Sequence, residues 1–223
     1  MPRKEFLKVQ KTIHIMAGGP EELIPSLLSF NLPDIEWVGV DYGVIHLLNH
    51  KIVPSIAFGD FDSVTEEQLI KIDQVTNEIK RFKPEKNETD LELALLWAIK
   101  QKPLKIRVFG ATGGRADHYF ANTMLLARPE CIGWNIEIID KQNSISVFSP
   151  GEYTVENRSD KKYISFVPLS EKVNDITLRG FKYPLTNKQT FMGSSLCISN
   201  ELIQEIGYFS FTSGILMMIR SHD

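Results

Sequence analysis

The sequence predicts an α/β protein in which a doubly wound, mostly parallel sheet with helices is followed by an antiparallel β-sandwich domain. Two observations predict that order. Up to about residue 140, short apolar runs alternate with helical patterns; beyond it the helical patterns nearly vanish and short alternating segments take over. A third observation predicts that the first part carries a site: acids or bare glycines stand directly after four of its apolar runs. In an open parallel sheet, ligands bind beyond the carboxyl ends of the strands, so those residues share one rim.

The first apolar run, 13–17, reads as a strand and precedes a helical pattern over 21–30. Pro20 suits the first turn of that helix, and Glu21 and Glu22 complement its dipole. Runs 37–40 and 56–58 are the next strands, followed by helical patterns over 44–49 and 66–73, the latter opened by a Thr65/Gln68 capping box. A strand over 78–83 leads to a helix over 89–100. Thr89 and Glu92 make its capping box, Asp90 favours its positive end, and Trp97 joins Leu91, Leu95 and Ala98 on its apolar face. Strand 106–109, helix 117–127 and strand 136–139 complete the first part. Beyond it, strands are expected over 144–148, 153–156, 163–167, 176–178, 196–199 and 208–211, with Tyr208, Phe209 and Phe211 packed in a core. The chain therefore divides into an α/β domain over 1–140 and a β-sandwich domain over 141–223.

At 223 residues the chain is long enough for one large domain or two modest ones. A formal net charge of −3, with no local run of Lys and Arg, leaves no electrostatic footprint for nucleic acid. Cys131 and Cys197 are the only cysteines and have no second Cys or His at metal-ligand spacing. Neither a disulfide framework nor a zinc site is indicated, and both read as buried thiols in a reducing compartment. The start, Met1-Pro2-Arg3-Lys4-Glu5-Phe6, leads into a strand-like run rather than an apolar signal segment, and no stretch approaches membrane-spanning length. A cytoplasmic location with no membrane partner is expected.

Along the rim stand Gly18 and Gly19, Asp41 with Gly43, Asp60 and Asp62, and then Gly110-Ala111-Thr112-Gly113-Gly114-Arg115. Carboxylates at i and i+2, such as Asp60 and Asp62, point the same way while the chain stays extended. Two hard oxygen donors converging with water and phosphate oxygens are what Mg²⁺ needs. A solvated turn is the competing reading, since Asp and Ser63 are ordinary turn residues. Glycines let the main chain approach a phosphate, and a helix starting near Asp117 aims free N–H groups at an anion. Arg115 adds a bidentate phosphate donor and Lys86 a second cation. Glu21 and Glu22 would repel a phosphate, so Gly18 and Gly19 line the uncharged part of a nucleotide instead. His118 reads as a local hydrogen-bonding residue, and Trp37 and Trp134 as packing residues. Together the rim reads as a magnesium-phosphate site.

These segments resemble the thiamine pyrophosphokinase family, particularly its bacterial branch, over nearly the whole chain. The likeness rests on Ala17-Gly18-Gly19, Val40-Asp41-Tyr42-Gly43, Gly59-Asp60-Phe61-Asp62-Ser63, Lys86-Asn87-Glu88-Thr89-Asp90, the segment 110–118, Ser199-Asn200-Glu201 and the segment 209–216, in that order. The resemblance implies an enzyme that moves the terminal pyrophosphoryl unit of ATP onto the alcohol of thiamine, giving thiamine diphosphate and AMP. It implies a homodimer with substrate pockets at the subunit interface. Asp60, Asp62 and Asp90 would hold Mg²⁺ and the ATP phosphates, with Asp41 supporting the same network. Gly18, Gly19, Gly43, Lys86, Thr89, Gly113, Gly114 and Arg115 would lie at the nucleotide. Asp117 would lie near the aminopyrimidine of thiamine, and Ser199 and Asn200 on the segment that closes the thiamine pocket from the partner subunit. Asn87 stands where an acid is common in the family, which puts a metal role for that side chain in doubt.

Attack of an alcohol on the β-phosphorus of ATP builds negative charge on bridging and equatorial oxygens, so positioning and electrostatic neutralisation supply most of the catalysis. A loose transition state makes a separate general base less necessary; should one act, Asp117 is the first candidate. Two rival readings share the same acids. One is a magnesium-dependent phosphohydrolase, which has no need of the β domain, and the other is a non-catalytic nucleotide or thiamine sensor.

Overall fold

A computed structural model describes residues 11–62, 64–76, 78–81 and 87–223. Six strands form where the apolar runs of the first part stand: β1 (Thr12–Met16), β2 (Ile35–Val40), β3 (Ile56–Gly59), β4 (Glu78–Arg81), β5 (Lys105–Phe109) and β6 (Ile136–Ile139). Between them lie α1 (Gly43–Asn49), α2 (Glu66–Val75), α3 (Asp90–Lys100) and α4 (Ala116–Leu125). In space the strands run β6-β5-β1-β2-β3-β4, every neighbouring pair parallel. The chain walks outward from β1 to β4, then returns to β5 on the other side of β1. The winding reverses there, which leaves a crevice at the carboxyl ends of β1 and β5.

Local chemistry accounts for the helices. On α3, Leu91, Ala94, Leu95 and Ala98 recur at helical spacing and are buried against β1, β2 and β3. Each such leucine contributes roughly 1.5–3 kcal/mol by its burial. The Thr65/Gln68 box on α2 forms in both directions. On α3 only half of the expected box forms: the Thr89 hydroxyl accepts the Glu92 N–H at 3.2 Å, while the Glu92 carboxylate pairs with Arg128. The predicted helix over 21–30 is replaced by two 3₁₀ turns, Glu21–Leu23 and Leu27–Ser29. Pro25 disfavours helical backbone at Ile24, which is extended with ψ 124°.

The larger sheet continues past β6. The second part contributes β7 (Asn143–Phe148), β8 (Gly151–Glu156), β9 (Tyr163–Pro168), β10 (Lys172–Arg179), β11 (Leu185–Phe191), β12 (Asn200–Glu201), β13 (Ile206–Phe211) and β14 (Leu216–Ser221). Strands β7, β14, β9 and β12 extend the first sheet in antiparallel fashion to ten strands, while β11-β10-β13-β8 form a separate antiparallel sheet of four. The two layers enclose a core that includes Val155, Phe166, Ile176, Leu178, Phe209 and Phe211. Tyr208 is not part of it: strand alternation turns Phe209 and Phe211 inward and leaves Tyr208 52% exposed. The segment 196–199, expected as a strand, is a turn that drops Cys197 into the core ahead of β12.

Candidate active site

The crevice between β1 and β5 widens into a cavity of about 1010 Å³ along the strand ends. At the exit of β1, Gly18 and Gly19 line its wall. The Gly19 N–H donates to the Gly110 carbonyl at 2.8 Å, and a Cβ added at Gly19 would stand 2.4 Å from that oxygen. Only bare backbone fits between the two strand exits.

Asp41 follows β2 and Gly59 ends β3. The Asp41 N–H donates to the Phe58 carbonyl at 2.9 Å, and a Cβ at Gly59 would meet Asp41 Oδ1 at 1.9 Å. Asp60 and Asp62 come next and both line the cavity, but not through an extended backbone. Phe61 between them is buried with Val44, Ile45 and Ile72, and it takes a left-handed φ of 60°. The pull of its ring into the core bends the chain, so the Asp62 N–H donates back to Asp60 Oδ1 at 3.1 Å. The turn and the cavity wall are one feature.

Asp90 opens α3 beside Thr89 and Glu88, and all three face the same space. From the exit of β5, Gly113 and Gly114 take φ values of 73° and 64°, and Asn122 on α4 donates to the Ala111 carbonyl at 3.0 Å to hold the loop. Arg115 lines the rim but spends its guanidinium on Asp117, through contacts of 2.6 and 3.2 Å. Those bonds hold the Asp117 carboxyl down to about 2. A carboxylate that acidic is a weak base, so the arrangement suits Asp117 to charge pairing more than to proton abstraction.

Other expected residues stand apart. Gly43 lies behind the cavity at the start of α1, where a Cβ would be 2.1 Å from the Met16 carbonyl. Ser199 and Asn200 belong to the β-sandwich. Asn200 is buried with its amide committed to the Tyr183 N–H and carbonyl, and Ser199 takes φ 55° with its N–H on Ser165 Oγ. Lys86 and Ser63 lie outside the described residues.

The cavity is strongly acidic. Glu21, Asp41, Asp60, Asp62, Glu88 and Asp90 line it against Arg115 alone among the described cations, and Arg115 is already paired. Even so, among the described residues no three of His, Cys, Asp and Glu stand close enough to hold a metal ion unaided. The acids share a space without forming a cage. Hard carboxylate donors in an open cavity fit Mg²⁺, which takes one or two carboxylates and completes its shell with water and phosphate oxygens.

Sequence reasoning passed over His46 and Asn122. His46 is 3% exposed, lines the cavity, and places Nε2 2.9 Å from the Gly19 carbonyl. The signal was available: residues 43, 46 and 47 share the face of α1 that packs on β1.

Comparison with known proteins agrees with this architecture. The model of the thiamin pyrophosphokinase catalytic domain matches residues 34–138, and that of the thiamin pyrophosphokinase vitamin B1 binding domain matches residues 152–216. Thiamine pyrophosphokinase of Bacillus subtilis (strain 168) is 50% identical over 213 residues, which covers 96% of this chain and 100% of the relative. The crystal structure of thiamine pyrophosphokinase from Bacillus subtilis superposes with a TM-score of 0.90 at 49% identity, covering 96% of this chain and 100% of the other. That of thiamin pyrophosphokinase from Geobacillus thermodenitrificans gives 0.87 at 50%, covering 95% and 98%. The chain belongs to the thiamine pyrophosphokinase family.

Proposed function

We infer that this protein transfers the pyrophosphoryl group of ATP to the hydroxyl of thiamine, giving thiamine diphosphate and AMP. The observation that carries the reading is one chain holding both family domains and half its residues in common with a curated thiamine pyrophosphokinase over 96% of its length. The geometry supports it. Bare backbone at Gly18, Gly19, Gly113 and Gly114 and carboxylates at Asp41, Asp60, Asp62 and Asp90 surround one cavity at the winding switch.

We propose that Asp60, Asp62 and Asp90 bind Mg²⁺ together with the nucleotide phosphates, with Asp41 behind them. A polyanion entering a cavity lined, among the described residues, by six carboxylates and one neutralised guanidinium needs cations to offset the repulsion. When bound, the cation neutralises charge that develops on the phosphoryl oxygens. The chain's own residues do the rest. Gly113 and Gly114 admit the nucleotide against the main chain, Gly18 and Gly19 face its uncharged part, and Thr89 orients Asp90 through its cap on α3. Arg115 exchanges Asp117 for phosphate, and the freed Asp117 turns to the cationic thiamine. Lys86 adds positive charge, and Gly43 lets α1 seat against β1 beneath the nucleotide.

We further propose a homodimer in which Ser199 and Asn200 close the thiamine pocket of the partner subunit, Asn200 by ordering the segment and Ser199 by facing the ligand. Phe191, Met192, Leu196 and Ile198 are between 45% and 61% exposed in the segment leading to Ser199, an apolar surface suited to a subunit contact. The division at residue 140 into an α/β unit and a β-sandwich is proposed as the functional one. No helix among the described residues is long and apolar enough to cross a membrane. Two free, buried thiols support work in the cytoplasm.

Product analysis tests the reading. AMP and thiamine diphosphate should form together only when thiamine, ATP and Mg²⁺ are all present. Phosphate release without thiamine favours hydrolysis, and ligand binding without product favours a sensor.

A further inference from the structure

We propose that His46 is a positioning residue for the nucleotide: its neutral imidazole holds the Gly18-Gly19 wall of the crevice in its binding shape. The proposal rests on the nucleotide reading of that wall given above. A carbonyl oxygen only accepts, so the 2.9 Å contact to Gly19 makes His46 Nε2 the protonated nitrogen. Nδ1 is then the bare nitrogen. It is buried and has no hydrogen-bond partner among the described residues, which a neutral acceptor tolerates better than a second N–H would. The Tyr42 ring packs against the imidazole edge to face, with centroids 5.1 Å apart.

Gly19 is thereby clamped at both ends of its residue. Its N–H donates to Gly110 at the exit of β5, and its carbonyl accepts from His46 on α1. The adjoining Gly18 has no side chain to anchor it and is exposed to the cavity. Two glycines in sequence carry the greatest backbone freedom, so without the imidazole the Gly18-Gly19 peptide samples orientations that do not match a ligand. Preorganisation of this kind is felt in ligand binding. The nucleotide is the ligand affected, since Gly18, Gly19, Gly113 and Gly114 line the one crevice at the exits of β1 and β5, while Ser199 directly precedes β12 at the far edge of the ten-stranded sheet.

The test uses the full-length enzyme and two variants, with initial rates measured at varied ATP and at varied thiamine, and thermal midpoints alongside. His46→Phe fills the space without a donor. His46→Gln returns an N–H near the position of Nε2. For His46→Phe, the KM for ATP should rise about tenfold, with kcat and the KM for thiamine changed less than about threefold. His46→Gln should restore the KM for ATP to within about threefold of the parent even if its midpoint falls. The inference is overturned if His46→Phe leaves the KM for ATP unchanged, if all three kinetic constants move together, or if His46→Gln is as impaired as His46→Phe. Failure of the parent enzyme to make thiamine diphosphate would instead overturn the reading on which the inference rests.

Discussion

At the scale of single residues, the pair Asp60 and Asp62 shows how one side chain decides a site. Phe61 belongs to the core, and burying it turns the backbone so that both acids meet the cavity without an extended strand. The acids were legible, and so was a turn as the reading that competes with a site; that the turn and the site are one feature was not, because its cause, the burial of Phe61, is tertiary. Asp62 is exposed, so Asp62→Asn should leave thermal stability within about 0.5 kcal/mol while lowering kcat at least about 100-fold, checked by melting and product formation. Retained activity would remove Asp62 from the metal set. Gly59 has a φ of 147° and faces Asp41 Oδ1. Gly59→Ala should therefore cost about 1–3 kcal/mol in denaturant melts and displace the Asp41 carboxylate, with reduced turnover at fixed Mg²⁺. His14 is legible as neither site nor switch, yet it is fully buried 4.7 Å from Trp37, and burial together with Arg107 and Lys105 lowers it to about 3. An imidazole that binds protons more weakly in the fold adds stability above its ordinary value of 6.5, and that stability is lost as pH falls toward 3. His14→Leu should flatten the stability profile by about 2 kcal/mol between pH 7 and pH 5, read as the difference in slope from the parent.

At the scale of elements, the periodic segments with a cap and one apolar face were legible, and α2 and α3 are the clearest. Thr89 both ends a loop and begins α3, so it links helix stability to the placement of Asp90. Thr89→Ala should cost about 1 kcal/mol of stability, and Thr89→Ser, which keeps the hydroxyl, should recover most of it and most of the activity. Equal behaviour of the two variants would argue against the cap. The elements that escaped did so for identifiable reasons. Pro25 interrupts an otherwise helical pattern at 21–30, and its effect on Ile24 outweighs the apolar spacing. Strand β11 reads Leu-Thr-Asn-Lys-Gln-Thr-Phe, polar and largely exposed at the edge of its sheet, so it shows little alternation to detect. Strand β14 sits between β7 and β9 and contributes to two core clusters, Leu216 and Met218 to one and Met217 and Ile219 to the other, which leaves an apolar run without a period of two.

At the scale of the whole molecule, pattern alone indicated two consecutive parts of different character but not the strand order. Neighbouring strands are chosen by packing between segments far apart in the chain, and no local spacing records that β5 lies beside β1 or that β7 continues the sheet of β6. That order is what brings the β1 and β5 exits together and makes the crevice. The exposed apolar segment from Phe191 to Ile198 predicts association. Light scattering should give a dimer for the parent, and Ile198→Asp should weaken it by about 100-fold while leaving the isolated fold intact; a parent that stays monomeric at high concentration would contradict this. The most direct test of the central claim is mass spectrometry of the products from ATP, thiamine and Mg²⁺. Thiamine diphosphate and AMP should appear in equal amounts, both absent when thiamine is withheld. Thiamine monophosphate with ADP, or AMP formed without thiamine, would contradict it.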